Sequence, residues 1–237
     1  MHRIFADCGV FRKPYPVKNH PILLAFLPLV LLSPKEEIVS DRARVLYTSL
    51  NLEKQRLSAK AFDMAWKAYE QLLHSDRLAN PGYLAICDMS QSSKQKRFYL
   101  IDIENSRLLV NTYVAHGRNS GAEFASRFSN KPNSLQTSLG IFITGSTYHG
   151  EHGLSLTLHG MQPGLNDRAA ARRIVIHGAD YASPAFIRKL GYLGRSYGCP
   201  SLPKNESAEI IRRIRNGSLV FIYHPSIPAK TIKAFND

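Results

Sequence analysis

Ile174-Val175-Ile176-His177-Gly178 is a short apolar run that stops at a histidine and a glycine, and Ser196-Tyr197-Gly198-Cys199-Pro200 follows with its thiol 22 positions after the histidine. The short, nearly all-apolar stretch from Arg173 to His177 reads as a strand buried on both faces. A histidine at its end stands on a rigid platform at the rim of a sheet. Gly198 permits a sharp turn at the cysteine, and Pro200 stiffens the exit. A cysteine and a histidine far apart in sequence can meet in a fold and make a thiolate nucleophile. On these residues alone, Cys199 is either that nucleophile or a packing cysteine, and His177 is either a base or a core histidine bonded to backbone.

Working outward, the surrounding chain is β-rich. Tyr83–Asp88, Arg97–Ile103, Leu108–Ala115, Leu139–Thr144, Leu154–Leu158 and Ser218–Tyr223 read as strands separated by turn residues. Eleven Phe, eleven Tyr and thirteen Pro in 237 residues fit that texture better than a helix bundle. Four helices are expected at the periphery. Ser58 caps one whose apolar stripe is Ala61, Met64, Ala65, Ala68 and Leu72. Asn166–Arg172 and Ser183–Leu190 read as short helices, the second with Pro184 in its first turn. The last begins at Asn205, carries Glu206 and Glu209 early and Arg212, Arg213 and Arg215 late, and stops at Asn216-Gly217.

The first forty residues differ in kind. Arg3, Arg12, Lys13 and Lys18 stand against Asp7, and residues 21–32 are twelve in a row without a charge. A basic lead and a short apolar run have the layout of an export signal, too short to span a bilayer comfortably. Only Ser33-Pro34-Lys35 follows, so cleavage and retention as a membrane tether both stay open. The expected organisation is a signal or anchor over 1–40, a linker and amphipathic helix over 41–78, a catalytic domain over 79–225, and a tail over 226–237. The chain is expected to be exported, periplasmic or associated with the cell envelope.

Three cysteines make a disulfide framework unexpected; Cys8 precedes the apolar run, and Cys87 lies in a strand and reads as a buried hydrophobe. The net charge of +13 favours polyanionic surroundings, but the basic residues are scattered and form no nucleic-acid motif, so no nucleic-acid partner is expected. His149 and His152 have an H-x-x-H spacing, yet Gly150 and Gly153 place them in a loop rather than on the helix a zinc protease needs, and no metal site is expected. No G-x-S-x-G elbow is present.

Taken in order, Ile174–Ala179 and Arg195–Pro200 resemble the L,D-transpeptidase catalytic domain (YkuD-like) family, in particular its murein L,D-transpeptidase branch. His116-Gly117-Arg118-Asn119-Ser120-Gly121, Ser138-Leu139-Gly140 and Tyr148–Gly153 support the likeness, which covers roughly residues 79–225. The resemblance implies a mostly β (α+β) fold, an L,D-transpeptidase-type β-sandwich with short peripheral helices and an N-terminal helix. It implies Cys199 as nucleophile, His177 as base, and the Gly178 carbonyl orienting the imidazole. Backbone N–H groups at Gly198, Cys199 and Tyr197 would form the oxyanion hole, and Arg173, Arg195 and Ser196 would contact substrate. The partner would be a peptidoglycan stem peptide, with no cofactor and no obligate protein partner. The sequence departs from the commoner family pattern at Tyr197, where a histidine usually precedes Gly-Cys, and at Ser201, where asparagine or arginine is usual. Transfer to an amine, hydrolysis as an L,D-carboxypeptidase, and cell-wall binding without catalysis are the readings left open.

Overall fold

A computed structural model describes residues 41–228. The expected signal or anchor, Cys8 and most of the tail lie outside these residues. Two helices open the described chain, α1 (Asp41–Ser49) and α2 (Ala59–His74). Eight strands follow: β1 (Tyr83–Asp88), β2 (Phe98–Asp102), β3 (Arg107–Thr112), β4 (Gly140–Gly150), β5 (Gly153–Gly160), β6 (Val175–Ala179), β7 (Ser201–Pro203) and β8 (Leu219–Tyr223). The helix α3 (Pro184–Leu190) lies between β6 and β7, and α4 (Lys204–Ile214) between β7 and β8.

The strands form one sheet in the order β3-β2-β1-β8-β4-β5-β6-β7. Only β1/β8 and β6/β7 run parallel. Ala115, just past β3, bridges Ser201 of β7, so the two edges of the sheet approach and the sheet curls nearly closed. Its middle is dry: every residue of β8 is buried, as are Leu84, Ala85, Ile86 and Cys87 of β1. Such strands read as continuous apolar runs because neither face meets water.

The helix α2 forms because Ser58 Oγ accepts from Ala61 N–H and because Phe62, Ala65, Trp66, Tyr69 and Leu72 recur on one side and are buried against β1 and β8. Phe62, Trp66 and Tyr69 stack in sequence along it. The stretch 41–57, read as a linker, instead contains α1, whose Ala43 and Leu46 are buried. Tyr47 fastens it by donating to the Leu57 carbonyl at 2.6 Å. Asn166–Arg172, read as a helix, is a run of turns. Its side chains bond elsewhere: Asn166 Nδ2 donates to the carbonyls of Leu139 and Ile141, and the competition of such bonds with a helix ladder is a known property of Asn. β7 is a strand the sequence did not announce.

Candidate active site

The parallel pairing of β6 with β7 sets His177 opposite Ser201, with Cys199 two residues before Ser201. Cys199 Sγ lies 3.8 Å from the Arg173 carbonyl, and the Val175 N–H points at the sulfur. Sulfur, in the turn just before β7, and imidazole, on β6, border the same groove, of about 870 Å³. The imidazole is not aimed at the sulfur. His177 Nδ1 is 3.0 Å from the Gly178 carbonyl, and Nε2 is 3.0 Å from Ser201 Oγ. Ser201 Oγ is in turn 3.0 Å from the Tyr181 hydroxyl. The ring of His152, from the tip of the β4–β5 hairpin, stacks on that of His177 with centroids 4.3 Å apart.

The cysteine turn is locked from within. Ser196 Oγ donates to the Cys199 carbonyl at 2.6 Å and accepts from the Gly198 N–H at 3.0 Å. Gly198 has φ +127, and a Cβ there would sit 2.9 Å from the Gln136 carbonyl, so only glycine fits. The stretch His116–Gly121 straps the turn from outside: Ser196 N–H donates to the His116 carbonyl and Arg118 N–H to the Ser196 carbonyl. Thr137 joins the two, accepting from Gly117 N–H and donating to the Gly198 carbonyl. His116 is buried and takes no place in the groove. The fully buried Arg97 donates to its Nδ1 at 2.7 Å, and burial, with Arg97 adding to it, pushes its pKa down to about 3.

Burial dominates the electrostatics of the pair. It raises the Cys199 pKa, although the Val175 N–H and the Arg172 guanidinium pull it back. It lowers the His177 pKa; the Gly178 carbonyl opposes this, and positive charge on His152 adds to it. Both effects favour a neutral thiol beside a neutral imidazole rather than an ion pair. Cys87, in the core, is pushed up to about 12 by desolvation and has no comparable setting.

The other residues singled out in the sequence divide. Arg173, with φ +56, and Arg195 are exposed and border the groove; Arg195 also donates to the Gly121 carbonyl and packs over Tyr192. Tyr197 is 69% exposed, with Arg118 over its ring. Ser196 is buried and engaged in the turn, so its hydroxyl holds the cysteine loop rather than reaching for a ligand. The Gly198 N–H, expected in an oxyanion hole, is engaged by Ser196 in this conformation. The sequence reading missed four residues at the site. Arg172, rather than its neighbour Arg173, is the cation whose field reaches Cys199. His152 enters the sequence reading as half of an H-x-x-H pair expected in a loop and as part of the Tyr148–Gly153 resemblance, with no site role, while the structure puts His149 at the end of β4; Tyr181 and Ser201 carry no site signal beyond Ser201's departure from the family pattern. Among the described residues no group of three or more His, Cys, Asp or Glu could hold a metal ion, and no helix is long and apolar enough to cross a membrane.

A thiol in a glycine turn strapped by a His-Gly-Arg-Asn-Ser-Gly loop thus shares one groove with a histidine buried in the middle of β6, which runs two residues past the strand end that the sequence suggests. The family model of the L,D-transpeptidase catalytic domain (YkuD_2) matches residues 53–223, and the chain belongs to that family. Among solved structures, an L,D-transpeptidase from Mycobacterium smegmatis is similar at 14% identity over 60% of this chain and 59% of that one, with a TM-score of 0.37. L,D-transpeptidase 3 from Mycobacterium tuberculosis is similar at 16% identity over 60% of each chain, with a TM-score of 0.37. An L,D-transpeptidase from Enterococcus faecium is similar at 12% identity over 60% of this chain and 50% of that one, with a TM-score of 0.35. This chain thus spans less than two thirds of those proteins. No curated protein matches it.

Proposed function

We propose that the chain is a cysteine peptidyltransferase acting on peptidoglycan stem peptides. The observation that carries the reading is the common groove bordered by His177 on β6 and by Cys199 in the turn that leads into the paired strand β7, in a member of the L,D-transpeptidase catalytic domain family. In the resting state the thiol keeps its proton, so His177 acts as general base while the sulfur attacks rather than by holding a standing thiolate. Cys199 attacks the carbonyl of the third stem residue. The backbone N–H groups of Tyr197 and Cys199 are the nearest candidates for the oxyanion, with that of Gly198 if Ser196 releases it. The terminal D-alanine leaves as an amine protonated by His177, and a thioester remains on Cys199. An amine acceptor then resolves the thioester into a 3→3 cross-link. Water would resolve it as an L,D-carboxypeptidase.

Arg118, Arg173 and Arg195 around the groove suit a substrate that carries carboxylates, which guanidinium groups bind as bidentate partners. The substrate class implies an exported protein at the cell envelope, with residues 21–32 as signal or tether. The test is digestion of purified tetrapeptide stems. Wild type should release D-alanine and form dimers, and Cys199→Ser should do neither; equal products from both would overturn the assignment. Cys87→Ala should match wild type, and monomeric tripeptide as sole product would assign hydrolysis.

A further inference from the structure

Arg97 is a fully buried cation that does not line the groove. Its Nε and Nη2 donate to the Val114 carbonyl at 3.1 and 3.0 Å, and Nη1 donates to the Gln91 carbonyl at 2.8 Å. Nη2 also donates to His116 Nδ1 at 2.7 Å. No carboxylate is among these acceptors, and burial lowers the Arg97 pKa to about 10 against the fields of Cys87 and Asp88. A buried cation without a paired anion carries a desolvation cost that an apolar side chain of the same volume would not. The guanidinium also orders its neighbour. It can only donate, so His116 Nδ1 is bare, and Nε2, 3.3 Å from the Gly121 carbonyl, carries the ring's proton. Burial first, and Arg97 after it, keep that ring neutral down to about 3.

The fork of Arg97 grips Val114 and His116, the residues on either side of Ala115, and this short segment carries both ends of the cysteine turn. Ala115 N–H donates to the Ser201 carbonyl at 2.8 Å, and Ser201 N–H donates back to the Ala115 carbonyl at 3.3 Å. At the other end the His116 carbonyl accepts from Ser196 N–H at 3.0 Å, and Arg118 N–H donates to the Ser196 carbonyl at 2.8 Å. Cys199 lies between these two anchors. We propose that Arg97 and His116 are positioning residues for Cys199: the buried fork, and the imidazole it orients, hold residues 114–118 in place, and that segment sets the span of the turn that presents the thiol and the oxyanion donors. The inference rests on the acyl-transfer reading above. The hold extends into the groove at Gly121, whose carbonyl accepts from His116 Nε2 at 3.3 Å and from Arg195 Nη1 at 3.2 Å. An apolar pair would fill the same space without tying Val114, His116 and Gly121 together, so the cost of the buried cation is matched by fixed geometry at the turn.

Two variants separate position from packing. Arg97→Lys keeps the charge and gives up the fork. His116→Asn keeps an acceptor where Nδ1 stood and gives up the bond to Gly121. Single-turnover formation of the Cys199 thioester from a tetrapeptide stem, followed by intact mass, should slow about 10- to 100-fold in Arg97→Lys and about 3- to 10-fold in His116→Asn, with KM within about threefold. Amide exchange by NMR needs no substrate: the Ser196 N–H should exchange about tenfold faster in both variants, while the amides of β8, which report global opening, change less. Nitrogen-15 NMR of the wild type at pH 6 should show His116 neutral, with its proton on Nε2. Wild-type thioester rates in both variants, equal acceleration at Ser196 and β8, or a His116 proton on Nδ1 would overturn the positioning role. A wild-type protein that forms no thioester, in which Ser196 exchange still responds to both substitutions, would overturn the acyl-transfer reading instead and leave the hold of Arg97 and His116 on the turn standing.

Discussion

Replacing Arg172 with methionine should weaken the fold and make Cys199 harder to ionise. Its guanidinium donates to the carbonyls of Ser129 and Gln136, each at 2.7 Å, and to the hydroxyls of Ser138 at 2.5 Å and Ser134 at 3.1 Å. It therefore holds the 129–138 segment against the cysteine turn. Hydrogen bonds from a charged donor contribute about 1.5–3 kcal/mol each, but they do not add, and water can reach some acceptors at this half-buried site. Methionine keeps the packing of the stem. A loss of about 3–4 kcal/mol follows, large against a total of roughly 5–15 kcal/mol yet small enough to leave a folded protein to assay. The single tryptophan, Trp66, is fully buried and reports urea unfolding by fluorescence. The second effect is electrostatic. Arg172 lowers the Cys199 pKa, so its removal raises it, and the midpoint of iodoacetamide alkylation against pH should move upward. Cys87, held protonated in the core, is the internal silent thiol. A destabilisation under about 1 kcal/mol, or an alkylation midpoint that stays or falls, would refute this account of Arg172.

His152→Ala should lower the plateau rate of thioester formation about 3- to 10-fold, the worth of one ring stack. It should also move the acid limb of the pH–rate profile upward, because His152 and burial both lower the His177 pKa and the substitution relieves both; a downward move would contradict the stack. His116→Asn should flatten the loss of stability in acid. In the wild type His116 stays neutral down to about 3 while the unfolded chain protonates near 6.5, so stability falls as pH drops through that window, by on the order of 4 kcal/mol, and urea titrations from pH 7 to 4 should show the variant falling less. Gly198→Ala should cost about 1–3 kcal/mol and most of the thioester rate, because φ +127 and the Gln136 carbonyl both oppose a Cβ. Gly164→Ala, at φ +76 in open space, should cost less, and equal thermal shifts for the two would argue against crowding at the turn.

Local signals were legible wherever one element carried its own evidence. Ser58 with the stripe to Leu72 specifies α2 without reference to the rest of the chain, and the run ending at His177 specifies β6. The elements that were not legible depend on partners. β7 is three residues long and includes Pro203; it exists because β6 and Ala115 flank it. α1 buries only Ala43 and Leu46 of nine residues, too faint a stripe to distinguish from a polar linker. The site follows the same division. Cys199 and His177 stand out because each interrupts a local signal, a glycine turn and an apolar run, although β6 continues past His177 to Ala179. Arg172 does not, since adjacent arginines give no hint of which one turns inward, and the choice is made by four acceptors between Ser129 and Ser138. His152 is brought to His177 by the length of the β4–β5 hairpin, a property of pairing rather than of spacing.

The resting chemistry of the pair also follows from packing. The same burial that raises the thiol pKa lowers that of the imidazole, and a buried ion pair would have to recover a desolvation cost of several kcal/mol for each charge. The Val175 N–H and Arg172 offset only part of that cost at the sulfur, and the Gly178 carbonyl only part of it at the ring. Under the proposed acyl-transfer reading, charge separation becomes favourable only when a bound acyl group supplies a third partner, the oxyanion, to be met by the imidazolium and the backbone N–H groups of the turn. On that reading, thiol activation is coupled to the presence of a carbonyl at the right place, and the sulfur is kept from reacting indiscriminately. The lock on the turn by Ser196, the tautomer imposed by Gly178 and the strap from His116 to Gly121 all serve that condition, because each fixes the position of a group that must act without first being charged.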